Sequence, residues 1–303
     1  MRGTVVRSTG SFYDVLTSDL KKHTCRVRGK FRLDAIKETN PIAVGDWIEF
    51  EPEDGTITEI HPRKNLIERQ SIKKKGHTHV LAANVDQALL IATLKMPRTS
   101  LGFIDRFLVS AESFRIPQLL IFNKTDLLSE KELNAASDIL TLYKSIGVTC
   151  LSVSAIADSD FSDLLKLLKG KVTLIAGHSG VGKSTLLNSL SPDIEQSVRE
   201  VSDFTEKGTH STTFSEMFML DKNTFVIDTP GVKEWGLAEM NQQEISDYFP
   251  EMREARLHCK FGSRCLHLNE PNCAILELVS KGLCAETRYH NYINMVTGKD
   301  NRK

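Results

Sequence analysis

No stretch of about 18 or more apolar residues occurs in the 303-residue chain, so no membrane-spanning helix is expected. The opening MRGTVVRSTGSFYDV holds no apolar block of the kind a secretory leader carries. Net charge is also absent. Lys and Arg number 39, Asp and Glu number 39, and this balance removes any global electrostatic drive towards nucleic acid. There is no internal repeat and no low-complexity tract, which excludes solenoids and compositionally biased tails. Cysteine is scarce, at six residues. In a chain expected to be cytosolic these thiols are expected to be reduced or metal-bound rather than paired. A soluble, cytoplasmic protein with room for two or three domains is the expectation.

Charge is nevertheless uneven. Residues 21–32, KKHTCRVRGKFR, contain six Lys/Arg and no acid, and Lys73, Lys74 and Lys75 form a second basic knot. Such runs are usually solvated faces; the functional alternative is a patch for RNA phosphates.

Up to about residue 72 the chain alternates with period two in short stretches: Gly3–Val6, Phe12–Val15, Thr24–Val27, Asp46–Phe50 and Thr56–Ile60. Asp54-Gly55 marks a hairpin turn. About five short strands predict a small barrel, an OB-fold or its SH3-like near equivalent. From about residue 80 the apolar runs Ala88–Ala92, Gln118–Phe122, Thr149–Val153 and Val172–Ala176 read as buried parallel strands. Helix-like segments Gly102–Phe114, Ser129–Ile146 and Phe161–Leu168 separate them, as a doubly wound α/β domain requires. Beyond Gly236 the chain turns helical and polar around a cysteine cluster. The expected domains are a barrel over 1–72, an α/β nucleotide domain over 73–235 and a mainly helical metal-binding domain over 236–303.

Gly177-His178-Ser179-Gly180-Val181-Gly182-Lys183-Ser184 fits G-x-x-x-x-G-K-[ST], follows an apolar strand, and runs into a helix from Thr185. Glycines let backbone N–H groups turn onto phosphate oxygens, and the helix N-terminus adds partial positive charge. Lys183 reaches the β- and γ-phosphates, and the Ser184 hydroxyl suits Mg²⁺. Asp228-Thr229-Pro230-Gly231 ends the strand Thr224–Ile227. There Asp228 suits the Mg²⁺ shell and the Gly231 N–H suits the γ-phosphate. Between these two motifs lies a polar stretch suited to a switch, with Thr212 the preferred Mg²⁺ ligand over Ser211 and Thr213.

Asn123-Lys124-Thr125-Asp126 follows the strand Leu119–Phe122. The Asp126 carboxylate accepts from guanine N1–H and the 2-amino group together, a pair adenine does not offer. Asn123 holds the loop, Lys124 lays its stem along the base, and Ser154-Ala155 supplies a second base-contacting loop. The order is reversed: ordinary GTPases place the phosphate loop before the base-reading loop. Val232 stands where Ras-like enzymes place a water-orienting Gln. Slow intrinsic hydrolysis, raised when a partner orders the switches, is therefore expected. His178 and His210 are candidate helpers in catalysis, against the plain reading of solvated loop histidines.

Cys259, Cys265, His267 and Cys273 place four soft ligands within 15 residues. Three thiolates and an imidazole suit a closed, structural Zn²⁺ site, one per chain, with no open catalytic position. Cys25, Cys150 and Cys284 lack such partners and read as small apolar residues.

Taken together, the chain resembles the circularly permuted GTPases of the RsgA family, the ribosome small-subunit-dependent GTPases. The resemblance rests on Gly45-Asp46-Trp47, Asn84-Val85-Asp86-Gln87, Ile104-Asp105-Arg106-Phe107, the permuted motifs, Gly208-Thr209-His210 and the Cys/His knuckle. It implies an OB-fold domain, a permuted GTPase domain and a zinc domain. It also implies binding of GTP and GDP, and hydrolysis stimulated by the small (30S) subunit during its late maturation. The implied partners are that subunit and its 16S rRNA, with other maturation factors beside them; a monomer is expected. Competing readings are a GTP-dependent RNA-binding scaffold that scarcely hydrolyses, a P-loop ATPase or kinase with a coincidental Asn-Lys-Thr-Asp, and, more remotely, a metal-dependent nuclease.

Overall fold

The structure, a computed structural model, describes residues 1–27, 41–70, 78–190, 215–228 and 240–299. The chain forms two compact units, Met1–Leu89 with Ala155–Glu234, and Leu90–Ser154 with Trp235–Lys303.

The first unit opens with five strands: β1 (Arg2–Ser8), β2 (Tyr13–Thr17), β3 (Lys22–Val27), β4 (Trp47–Phe50) and β5 (Thr56–Ile60). β1 pairs antiparallel with β2 and with β4, β2 with β3, and β4 with β5, while β3 meets β5 in parallel. The pairings close a ring, so the edges that would otherwise invite aggregation are removed. Alternation sends Val5, Tyr13, Val15, Cys25, Ile48, Phe50 and Ile57 into one core with Ile42. The five expected strands and the barrel are present. Lys21, Lys22 and Arg26 are exposed, as a solvated basic face requires; Lys73–Lys75 lie outside the described residues.

Behind the barrel, Asp46 is fully buried and accepts from Arg63 Nε (2.8 Å), Arg63 Nη2 (2.9 Å) and the Ala43 N–H (2.8 Å). Gly45, at φ 94°, lies so close to the Ala83 carbonyl that a Cβ would sit 2.0 Å from its oxygen. Gly45→Ala is therefore expected to destabilise this unit by about 1–3 kcal/mol through overpacking. An unchanged thermal midpoint would contradict that. β6 (Leu66–Gln70) and β7 (Thr78–Ala83) form a separate antiparallel pair, which the sequence reading did not single out.

The same unit carries β11 (Val172–Ala176), β12 (Glu216–Asp221) and β13 (Thr224–Asp228), with helices α3 (Ser162–Leu168) and α4 (Lys183–Leu190). β11 runs parallel to β13, β12 folds back antiparallel on β13, and β12 meets barrel strand β1 at Arg7↔Glu216. The reading of a buried parallel strand holds for β11, whose partner is β13; β12 is antiparallel to β13, because the turn at Asp221–Asn223 is too short for a crossover.

β8 (Gln87–Ala92) is buried along its length and passes the division at Leu89. In the second unit β9 (Gln118–Phe122) runs parallel to β10 (Thr149–Ser152), flanked by α1 (Leu101–Ser113) and α2 (Glu130–Ser145). α1 starts where Ser100 Oγ accepts from the Phe103 N–H, and α2 where Glu132 reaches back to the Ser129 N–H. The C-terminal part has short helices: α5 (Pro250–Arg253), α6 (Ala274–Ser280) and α7 (Glu286–Val296). Val109 of α1 shares one core cluster with Phe249, Met252, the three knuckle cysteines, Tyr292 and Val296. A helix buried around most of its girth needs apolar residues on most sides, and the buried positions of α1 are apolar or glycine except for Asp105 and Ser110.

Candidate functional site

The phosphate-binding candidate lies in the first unit. β11 delivers the chain to the loop 177–182, and α4 begins at Lys183. Gly180 and Gly182 adopt φ 83° and 92°, which L side chains rarely take. Val181 plugs the loop from inside and is fully buried, whereas Ser179, Ser184 and Thr185 are exposed. Lys183 Nζ donates to the Gly177 carbonyl at 2.9 Å and the His178 carbonyl at 3.3 Å. Burial lowers the Lys183 pKa, opposed by the Asp228 carboxylate. An ammonium drawn into a partly desolvated loop is well suited to meet an anion. Asp228 ends β13 and stands opposite Ile175 in the parallel register, which brings it to the same end of the sheet as the loop. Ser189 Oγ donates to the Ala155 carbonyl at 3.0 Å, tying α4 to that residue. His210, Thr212 and Gly231 lie outside the described residues.

The base-reading candidate lies in the second unit. Asn123 is buried at the end of β9, and its N–H donates to the Ala92 carbonyl at 2.9 Å. Lys124 takes the left-handed conformation, φ 62°, and its Nζ donates to the Met96 carbonyl at 2.7 Å. Thr125 Oγ1 donates to the Val153 carbonyl at 3.1 Å, fastening this loop to the one after β10. From there the buried Ser154 donates its Oγ–H to Asp126 Oδ1 at 2.5 Å, while the Asp126 side chain is otherwise exposed. The structure thus joins Asp126 and Ser154, read from separate motifs, into one contact. A carboxylate held at one oxygen presents a fixed acceptor edge, which directional recognition of paired N–H donors requires.

The second unit also holds the knuckle. The Cys259, Cys265, His267 and Cys273 ligand atoms all lie within 4.8 Å of one another, and all four residues are buried. Cys273 Sγ lies 3.8 Å from Cys259 Sγ and 3.9 Å from Cys265 Sγ, and His267 Nδ1 lies 3.4 Å from the Sγ atoms of Cys259 and Cys273. Tetrahedral Zn²⁺ with Zn–S of about 2.3 Å and Zn–N of about 2.0 Å implies S···S edges of roughly 3.8 Å and S···N edges of roughly 3.5 Å. The donor set fits zinc, with Nδ1 as the imidazole ligand. Burial pushes His267 down to about 4, so the ring is neutral and able to ligate. Glu270 organises the loop by accepting from the Leu266, Leu268 and Asn269 N–H groups at 2.7, 2.7 and 3.0 Å. Tyr289 and Tyr292 donate to the His267 and Leu266 carbonyls at 2.7 and 2.9 Å, securing it from α7. Glu270 carries no signal in the sequence, since a loop carboxylate looks the same whether it braces a knuckle or faces water. Cys25, Cys150 and Cys284 are buried singly, as small apolar residues would be.

A buried polar cluster fastens α7 to α1. Arg288 Nη1 donates to Asp105 Oδ1 at 2.6 Å, and its other nitrogens reach Glu251 at 2.8 and 3.0 Å. Tyr143 Oη and Asn291 Nδ2 also donate to Asp105, at 2.8 and 2.5 Å. Burial alone would lower the Arg288 pKa, but Asp105 and Glu251 outweigh it and hold the guanidinium charged. The ring of Phe249 lies 4.6 Å from the guanidinium carbon. An acid at Asp105 among the apolar neighbours Phe103, Ile104, Phe107 and Leu108 is the sequence signal that points to a buried polar partner.

Comparison with known proteins covers the whole chain. The family model described as RsgA GTPase matches residues 60–238, and the one described as RsgA N-terminal domain matches residues 2–60. The small ribosomal subunit biogenesis GTPase RsgA of Phocaeicola vulgatus is 45% identical over 306 residues, covering 100% of this chain and 98% of the relative. The protein of that name from Christiangramia forsetii is 43% identical, covering 99% and 97%. Among solved structures, YjeQ from Thermotoga maritima superposes with TM-score 0.78 at 33% identity, covering 100% of this chain and 99% of that one. YloQ, described as a circularly permuted GTPase, gives TM-score 0.75 at 29% identity, covering 100% and 96%.

Proposed function

The chain belongs to the RsgA family of GTPases, and from that premise we propose that its GTP hydrolysis serves late maturation of the small (30S) ribosomal subunit. In this reading the subunit stimulates hydrolysis, and hydrolysis releases the factor. The observation that carries it is the phosphate loop, with glycines at positive φ and Lys183 folded onto its carbonyls between β11 and α4.

Asp126 reads the guanine edge, Ser154 holds that carboxylate, Asn123 and Lys124 shape the loop and flank the base, and Ala155 completes the second base-contacting motif. The backbone of Gly177, His178, Ser179, Gly180, Val181 and Gly182 cradles the phosphates, and Thr185 continues the cradle at the start of α4. Lys183 leaves the loop carbonyls for phosphate oxygens and stabilises the charge that grows on them. Mg²⁺, when bound, neutralises β/γ-phosphate charge; Ser184, Thr212 and Asp228 would hold it. Gly231 offers its N–H to the γ-phosphate, and His178 and His210 are candidates for the group replacing Gln. The barrel over 1–72 and its basic face contact 16S rRNA, the GTPase domain spans 73–235, and 236–303 is a zinc-stapled domain. Among the described residues no helix is long and apolar enough to cross a membrane; the proposed setting is the cytoplasm and the proposed state a monomer.

Two measurements check this assignment. Ser154→Ala is expected to weaken GDP binding about tenfold, because one hydrogen bond to a charged acceptor is lost. Calorimetry giving wild-type affinity would remove Ser154 from the site. Metal analysis is expected to return one zinc per chain. Cys273→Ser should abolish it and raise amide exchange across 259–273, because a structural zinc contributes folding energy directly. Full zinc content in that variant would contradict the ligand set.

A further inference from the structure

In Gly45-Asp46-Trp47, Gly45 admits the Ala83 carbonyl, Asp46 anchors Arg63, and Trp47 pairs through its backbone with Thr4 and His61, while its half-buried side chain faces a cavity. The cavity has a volume of about 690 Å³ and lies in the first unit, between barrel strands β1 and β2 and the strands β11–β13. The size is that of a small-molecule site, which typically spans roughly 300–1,000 Å³. Trp47 and Phe225 supply aromatic surface, and Arg2, Lys64 and Lys222 supply positive charge against the single carboxylate of Asp86. Lys64 is already committed to Asp86 at 2.9 Å. Arg2 and Lys222 have no ion-pair partner among the described residues. Two uncommitted cations match a phosphate group, which carries about −1.5 to −2 charge as a monoester and about −1 as the diester of an RNA strand. Aromatic surface beside them suits a flat base, since stacking on such rings is indifferent to base identity.

We propose that this cavity is a second nucleotide site, separate from the guanine and phosphate loops, that takes a nucleoside monophosphate unit with its base on Trp47 and its phosphate on Arg2 and Lys222. The unit could come from a free nucleotide or from an unpaired residue of an RNA strand. Neither Asp126 nor Lys183 lines the cavity, so the site stands independently of the GTPase reading.

The test uses the full chain carrying Trp235→Phe, so that Trp47 is its remaining tryptophan, saturated with GDP to fill the guanine site. AMP is the first probe and a short single-stranded RNA the second, with Trp47 fluorescence as the readout. A saturable quench by AMP is expected. Arg2→Ala and Lys222→Ala should each weaken it by about tenfold, the effect of losing a charge-assisted hydrogen bond, and adenosine should bind more weakly still. Both positions are exposed, so neither variant threatens folding. RNA binding tighter than AMP with the same sensitivity to both substitutions supports the site and assigns its occupant to RNA; AMP equal or tighter supports it and assigns a free nucleotide. No quench by either probe at millimolar concentration, or a quench indifferent to both substitutions, overturns the proposal.

Discussion

Asp126→Ala is expected to lower affinity for GTP and GDP by about 10²-fold or more while leaving ATP binding where it was. Two guanine N–H groups face one carboxylate in this reading, and each hydrogen bond to a charged acceptor contributes about 1.5–3 kcal/mol. Adenine offers no such pair, so ATP loses nothing when the carboxylate goes. The substitution is structurally mild, because Asp126 is exposed and, among the described residues, its side chain hydrogen-bonds to Ser154. Asp126→Asn is the sharper comparison. It keeps the size but sets an amide donor against guanine N–H, and it should weaken GTP at least as much as alanine does. Competition binding of GTP against ATP on the three proteins reads the ratio directly. An unchanged ratio in both variants would remove the loop 123–126 from base recognition and revive the ATPase reading.

Arg288→Met is expected to destabilise the second unit by about 3–5 kcal/mol, because it strands a buried carboxylate without its counter-charge. Asp105 is fully buried, and Tyr143 and Asn291 would be its remaining donors. The corresponding melting transition should fall by about 10 °C for a unit of this size. Adding Asp105→Asn to Arg288→Met should recover part of the loss, since a neutral amide no longer needs the guanidinium. A double variant no more stable than Arg288→Met would show that packing, rather than charge, sets the effect.

This cluster bears on the reversed motif order. The C-terminal segment follows Asp228–Gly231 in the chain. The second unit shows it packed on α1, which precedes the base-reading loop, through Val109 and through the Asp105–Arg288 pair. The segment therefore follows Asp228 in the chain and packs on α1 within the second unit. Disruption of that packing should be visible in amide exchange over α7.

Legibility from sequence followed the range of the interactions. The phosphate loop and the knuckle are contiguous, so spacing alone carries their geometry. The strands of the barrel and β8, β9 and β11 were legible because one or both faces are buried, which writes a period of two or an unbroken apolar run; β10, expected to be buried as well, buries only Cys150 along its length. β6 and β7 were not, because Glu68-Arg69-Gln70 interrupts the apolar pattern. Asp105 appeared only as part of a resemblance. Its partner lies 183 residues away, and no local pattern records a pairing of that range. The cavity beside Trp47 was invisible for the same reason, being assembled from strands far apart in the chain.

The most direct measurement is steady-state GTP turnover of the purified full chain with and without purified small ribosomal subunits, with Lys183→Ala as control. A partner that completes the catalytic geometry should raise turnover by at least about 10²-fold, and Lys183→Ala should abolish the rise. The same turnover with and without subunits would contradict a subunit-stimulated GTPase and leave a GTP-binding scaffold in its place.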